Sequence, residues 1–161
     1  MTLTIRPAAL ADAPQMAAIQ NEIIAIGGTT AYQRARSVEA VVAGYITRPD
    51  LLCCHVAEEE GRVIGFQVVV RNDDLPAGWA DIGTFVQQGT QARGIGGRLF
   101  QASAAACRAA GIATLNATIR ADNVPGLAYY ARMGFADHAR DADWALDDGT
   151  VVGRISRRLD L

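Results

Sequence analysis

The chain has 161 residues, of which 50% are hydrophobic, and its formal net charge at pH 7 is −2. This length favours one domain, spanning residues 1–161, with a core of ordinary size. The acidic balance argues against a nucleic-acid partner, which would need a basic face. No apolar run is long enough to span a membrane, so no membrane association is predicted.

The lysine and cysteine content excludes several kinds of chemical site. All 15 basic residues are arginine, which excludes a Schiff base on a lysine of this chain. Three cysteines, two of them adjacent, indicate neither a disulfide framework nor a zinc site, and no metal is predicted. The first residues lack the architecture of a signal peptide. We therefore expect a reduced, cytoplasmic setting.

The first half of the chain predicts two helices between short strands. A strand over residues 3–6 precedes a helix that runs from the N-cap Asp12 to Ile26, because apolar residues recur there at helical spacing. A second helix starts near Ser37. Residues 51–58 and 62–71 are strand-like and are joined by a tight turn, which predicts a hairpin.

The second half predicts a central strand over residues 81–86 and a long amphipathic helix that stops at Gly111. A strand over residues 112–119 follows. Asn123 then caps a short helix that ends at Gly134. Residues 142–146 and 151–159 are predicted as a final hairpin. This order of elements indicates a mixed sheet sandwiched by helices.

A glycine-rich loop, residues 87–97, joins the central strand to the long helix. Its unobstructed N–H groups meet the positive end of the helix, with Arg93 and Arg98 nearby, which predicts a site for a pyrophosphate or another polyanion. A nucleotide-triphosphate P-loop would need a lysine, and a Rossmann fingerprint would need glycine where the chain has Leu99. The alternative is an ordinary turn before a surface helix, and the loop alone does not distinguish this turn from an anion-binding site.

Two motifs in order resemble the GNAT superfamily of N-acyltransferases. The first is Gln-x-x-Gly-x-Gly at residues 91–96, and the second is Asn-x-x-small-x-x-x-Tyr-x-x-x-Gly-Phe at residues 123–135. The resemblance covers roughly residues 2–140. It implies a GNAT-like α+β fold of three α/β/α layers, with a mixed, mostly antiparallel sheet of about seven strands, as one N-acetyltransferase domain.

The resemblance also implies acetyl-CoA as co-substrate. The loop would hold its pyrophosphate, and the backbone of Phe85 and Val86 would pair with its pantetheine arm in a gap between two splayed strands. The implied contacts are Phe85, Val86, Gln91, Ala92, Arg93, Gly94, Ile95, Gly96, Gly97, Arg98 and Asn123.

Two residues match catalytic positions of the family. Tyr130 lies seven residues after Asn123, where relatives place a tyrosine near the CoA sulfur, and a phenol there can protonate the leaving thiolate. Its alternative role is an aromatic core residue. Asp81 stands where relatives carry a glutamate as general base, and its shorter side chain favours relay through a water. Glu22 is the runner-up, and a merely solvated or capping carboxylate is the alternative for both.

Residues 29–32 are similar to the phosphinothricin and amino-acid N-acetyltransferase group, although residues 71–74 do not reproduce that group's aromatic-arginine segment. This likeness implies direct attack, in a ternary complex, by a primary amine of a small, amino-acid-like acceptor. A non-catalytic acyl-CoA-binding sensor and a generic anion-binding domain are the competing hypotheses. The sequence leaves open the acceptor, the acyl chain length and whether the chain forms a homodimer.

Overall fold

One mixed sheet organises the protein. The structure is a computed structural model that describes residues 2–90 and 93–161, and within those residues seven strands pair in the order β1-β2-β3-β4-β5-β7-β6. The strands are β1 Leu3–Pro7, β2 Leu51–Glu59, β3 Arg62–Arg71, β4 Trp79–Val86, β5 Thr114–Arg120, β6 Ala136–Asp141 and β7 Arg154–Asp160. Among these described strands only β4 and β5 pair in parallel, so the predicted mixed, mostly antiparallel sheet is confirmed.

Helices cover both faces of the sheet and complete the predicted three layers. They are α1 Ala13–Ile26, α2 Val38–Tyr45, α3 Ile95–Ala109 and α4 Val124–Arg132. Apolar side chains of α1 and α2 pack with Phe66 and Val68 of β3 on one face. On the opposite face, α3 and α4 pack over Val69 of β3 and Leu115 of β5. None of these helices, nor any other in the described part of the chain, is long and apolar enough to cross a membrane.

Strands β4 and β5 separate soon after they meet. Their parallel pairing extends only from Trp79 and Thr114 to Asp81 and Asn116. Beyond that point β4 stays paired with β3 as far as Val86, and β5 stays paired with β7 as far as Arg120. The facing edges of β4 and β5 therefore diverge, and this gap in the sheet positions the site.

Asp12 holds the N-cap position of α1, as predicted, but its carboxylate does not cap the helix, because it accepts hydrogen bonds from the Arg6 guanidinium and from the Ala9 backbone N–H. The predicted first strand of the final hairpin is wrong. The final hairpin is formed by β6 and β7, and residues 142–146 are a loop in which only Ala145 bridges to Val151. The six residues of β6 are all exposed on the sheet edge, so they lack the apolar alternation by which a strand is recognised.

Candidate active site

A cavity of about 520 Å³ lies where β4 and β5 diverge. Consecutive β4 residues from Ile82 to Val86 line it, and because successive side chains of a strand point to opposite faces, the cavity passes through the sheet. One end is bounded by the loop after α1, residues 29–31, and by β5 residues 118–120. The cavity is therefore open to both helical layers, as a site that joins two substrates requires.

Tyr130 of α4 lines this cavity from the side of α3 and α4. The side chain is 7% exposed, and its hydroxyl lies 2.9 Å from Thr84 Oγ1 of β4. Its ring packs edge-on against Tyr129 and Phe135. Burial raises the pKa of Tyr130, so the phenol remains a neutral hydrogen-bond donor over a wide pH range.

The neighbouring Tyr129 is held by two hydrogen bonds. Its hydroxyl donates to the Gly96 carbonyl oxygen at 2.8 Å and accepts from Gln67 Nε2 at 3.0 Å. Burial raises the pKa of Tyr129 to about 12. A Cβ atom on Gly96 would lie 2.6 Å from the Tyr129 ring, so this position in the first turn of α3 needs glycine because Tyr129 packs against it.

The described part of the glycine-rich loop leads directly into α3. Gly94 adopts a left-handed conformation, with φ of 73°, immediately before the helix begins. The first backbone N–H groups of a helix have no partner within it and attract anions. The Arg93 guanidinium pairs with Glu59 of β2, and the Ile95 side chain is buried in the core. The predicted contacts Gln91 and Ala92 lie outside the described residues.

Asn123 caps α4, as predicted. Its side-chain oxygen accepts from the Gly126 N–H at 2.9 Å, and its amide donates to the Thr29 carbonyl oxygen at 3.0 Å. The residue thus ties α4 to the loop after α1 and lines the cavity at this junction. A Cβ atom on Gly126 would collide with the Asn123 side chain, which explains the small residue in the motif.

Asp81 occupies the last paired position before β4 and β5 diverge. Its carboxylate accepts from the Asn116 and Asn72 amides, each at 2.7 Å. Asn116 Oδ1 lies 2.6 Å from His138 Nε2, so the contact chain continues to β6. Asp81 lines a separate cavity of about 430 Å³ together with Arg48, Asn72 and others. It shares a strand face with Gly83, which lines the main cavity two residues further on.

Two arginines face each other beside the loop after α1. Arg120 of β5 and Arg154 of β7 are directly opposed in the sheet, and both line the main cavity. Arg120 is paired with Asp122 at 2.7 Å and donates to the Thr30 carbonyl oxygen. Arg154 lies over the Trp144 ring, with its centre 5.5 Å from the centroid, and its ion pair with Asp141 spans 4.0 Å. The guanidinium of Arg154 is thus the more weakly neutralised of the two.

The structure brings some of the predicted site residues together and separates others. Those that line the main cavity are Phe85, Val86, Gly96, Asn123 and Tyr130. The predicted residues found in the described chain but not in that lining are Asp81, Glu22, Arg93, Gly94, Ile95, Gly97 and Arg98. Among residues 2–90 and 93–161, no group of three or more His, Cys, Asp or Glu could hold a metal ion.

Sequence reasoning missed several residues of the site, among them Gln67, Thr84, Trp144 and Arg154. A signal existed for Gln67, because it is a lone amide within the otherwise apolar run of β3. Trp144 reaches the cavity from the loop before β7, and Arg154 reaches it from β7 through its pairing with Arg120, and neither placement can be predicted from a local sequence pattern.

Comparisons with known proteins agree with this geometry. The sequence profile of the "Acetyltransferase (GNAT) family" matches residues 16–135. Among curated proteins, no sequence matches the chain significantly.

Several solved structures share the fold. An N-acetyltransferase from Staphylococcus aureus Mu50 has a TM-score of 0.89 and 22% identity, with 99% of each chain covered. A phosphinothricin acetyltransferase from Sinorhizobium meliloti, solved with AcCoA, has a TM-score of 0.86 and 22% identity, covering 100% of this chain and 89% of the other. A ribosomal-protein-alanine N-acetyltransferase from Brucella melitensis has a TM-score of 0.86 and 21% identity, with 98% and 99% covered. Since the profile match extends over most of the sequence and the fold agrees throughout, this chain belongs to the GNAT acetyltransferase family.

Proposed function

We propose that the protein transfers an acetyl group from acetyl-CoA to the primary amine of a small acceptor that carries a carboxylate, as one catalytic domain. The observation that carries this proposal is the cavity between the diverging ends of β4 and β5, with Tyr130 in its wall. Beyond Asp81, the β4 edge that faces β5 pairs with no described strand and can pair with an extended chain such as a pantetheine arm. The S. meliloti relative, solved with AcCoA, supports this choice of donor.

Acetyl-CoA would supply the acetyl group as a thioester. In direct attack the carbon–nitrogen bond forms as the carbon–sulfur bond breaks, so the amine must lose a proton and the sulfur must gain one. Tyr130 would donate the proton to the sulfur and recover one from solvent. Asp81 would accept the amine proton through a water, because its carboxylate lies outside the main cavity but on the strand face of Gly83. Asp81 directly precedes Ile82, the first residue of β4 that lines the main cavity.

The charges around the cavity favour an acceptor with a carboxylate. Its described lining residues include Arg120, Arg132 and Arg154 but no Asp or Glu. Two guanidinium groups directly opposite in a sheet repel each other unless an anion lies between or beside them. Asp122 neutralises Arg120, whereas the one ion pair of Arg154 among the described residues spans 4.0 Å, so Arg154 can bind a further carboxylate.

The acceptor is tested with acetyl-CoA and matched pairs of amines, each pair consisting of an amino acid and its methyl ester, by following the release of free thiol. We expect the amino acid to be the better substrate. Arg154→Gln should raise KM for the amino acid by roughly 10- to 100-fold, as expected for a lost hydrogen bond between charged groups, with KM for its ester nearly unchanged. Equal use of acid and ester by the wild-type protein would contradict the carboxylate site while leaving acetyl transfer intact.

A further inference from the structure

A buried amide connects the tyrosine pair to the sheet. Gln67 lies in the middle of β3 with no exposed surface. Its Nε2 is 2.9 Å from Thr84 Oγ1 and 3.0 Å from the Tyr129 hydroxyl. Its Oε1 is buried and has no hydrogen-bond partner among the described residues. A fully buried amide with half of its polar atoms unpaired calls for an explanation.

The hydrogen bonds around Gln67 have one consistent direction. The Gly96 carbonyl can only accept, so the single hydroxyl hydrogen of Tyr129 points to it. The Tyr129 oxygen must then accept from Gln67, which requires the nitrogen of the amide, not its oxygen, to face the two hydroxyls. This requirement fixes the amide orientation even though the opposite oxygen stays unpaired.

The same order of donors and acceptors continues from Gln67 through Thr84 to Tyr130. Thr84 Oγ1 accepts the second amide hydrogen of Gln67 and keeps one hydrogen of its own. Two phenolic oxygens lie beside Thr84, and that of Tyr129 already accepts from Gln67, so the Tyr130 oxygen at 2.9 Å is the more available acceptor. When Thr84 donates to that oxygen, the phenolic hydrogen of Tyr130 is left to point into the cavity that both residues line.

We propose that Gln67 is a positioning residue that directs the phenolic hydrogen of Tyr130 into the cavity. This inference rests on the proposed function, in which Tyr130 protonates the departing sulfur. Without the amide, Thr84 is free to accept from Tyr130, and the proton needed at the sulfur would then point into the sheet. Donors fixed in the productive direction before the reaction are the source of much enzymatic rate enhancement.

The test uses Gln67→Leu, which removes the amide, and Gln67→Glu, whose carboxylate would accept from Thr84 and reverse the chain. We expect both to lower kcat by about tenfold or more, but by less than Tyr130→Phe, and to leave KM for acetyl-CoA within about twofold. Thr84→Val should lower kcat similarly, and Thr84→Ser, which keeps the hydroxyl, should restore it. If Gln67→Leu does not fold, the comparison of Thr84→Val with Thr84→Ser tests the same hydrogen-bond chain.

A double-mutant cycle separates positioning from a purely structural role. In a Tyr130→Phe background, Gln67→Leu should leave kcat unchanged, because there is no phenolic hydrogen left to direct. Wild-type kcat in Gln67→Leu, or an equal loss of kcat in both backgrounds, would overturn the inference while Tyr130 remains the acid. Wild-type kcat in Tyr130→Phe would instead refute the proposed acid itself.

Discussion

At the scale of single residues, the most informative group is the Tyr130 hydroxyl. It lies between the core, where burial raises its pKa, and the cavity, where the proposed reaction needs a proton. The ordinary pKa of tyrosine is about 10, so a raised value keeps the phenol protonated throughout the neutral and mildly alkaline range. If kcat falls as the pH is raised from neutral towards about 10, the loss must therefore come from the titration of another group.

Tyr130→Phe should lower kcat by roughly 10²–10⁴-fold while the dissociation constant for acetyl-CoA stays within about twofold. The ring contacts with Tyr129 and Phe135 are kept, and the lost bond to Thr84 should lower the free energy of unfolding by about 1 kcal/mol. Tyr45→Phe is the matched control, since Tyr45 is a buried tyrosine whose hydroxyl bonds to Gln20 and Arg36. That variant should lose stability but keep kcat. Equal kcat in the two variants would make Tyr130 a packing residue.

Asp81→Asn tests the carboxylate at the point where β4 and β5 diverge. We expect the rate to fall mainly at acidic pH, where removal of the amine proton limits the reaction. The Asn72 and Asn116 amides that donate to Asp81 would also face a new amide, so stability must be measured alongside. Asn72→Ala serves as the comparison, because it removes one of these bonds and leaves the carboxylate. A pH–rate profile that matches wild type in Asp81→Asn would remove Asp81 from the mechanism.

At the scale of elements, the start of α3 is fixed by contacts with α4. Tyr129 reaches from α4 to the Gly96 carbonyl, so the turn that would bind the pyrophosphate and the helix that carries Tyr130 are held together. Asn123 makes a similar connection from α4 to the loop after α1. The two sequence motifs are therefore joined physically and not only by their order in the chain.

Gly96→Ala and Gly97→Ala form a matched pair for this junction. A Cβ atom on Gly96 would lie 2.6 Å from the Tyr129 ring, whereas one on Gly97 would meet no atom within 4 Å. Gly96→Ala should lower the free energy of unfolding by about 1–3 kcal/mol, because the ring must move and break its buried bonds. Gly97→Ala should be neutral or stabilising by up to about 1 kcal/mol, because alanine favours a helix. Urea denaturation measures both, and equal stability of the two variants would contradict the proposed packing.

Predictability from the sequence also differed between elements. The caps and turns around α4 were predicted correctly because Asn123 and Gly134 act through their own backbone neighbourhood. The strand β6 was missed because it is an exposed edge strand, defined only by its pairing with β7. Side chains such as Arg154 enter the site through long-range pairing, here with Arg120, and local periodicity carries no information about that.

At the scale of the whole molecule, the separation of two strands lets one sheet both hold the fold together and provide a passage through it. Up to Asp81 and Asn116 the strands β4 and β5 hold the sheet together, and beyond them they leave a passage between the two helical layers. A thioester reaching in from the side of α3 and α4 could then meet an amine bound near the loop after α1. This geometry needs no covalent intermediate on the protein.

Transfer of an isotopically labelled acetyl group from acetyl-CoA tests this account most directly. The protein is mixed with labelled acetyl-CoA and an amino-acid panel, and both the small molecules and the intact protein are analysed by mass spectrometry. The account predicts a labelled N-acetyl product and free CoA in equal amounts, with no label on the protein. The account would be contradicted if acetyl-CoA binds the protein but is recovered intact, without transfer to any amine in the panel.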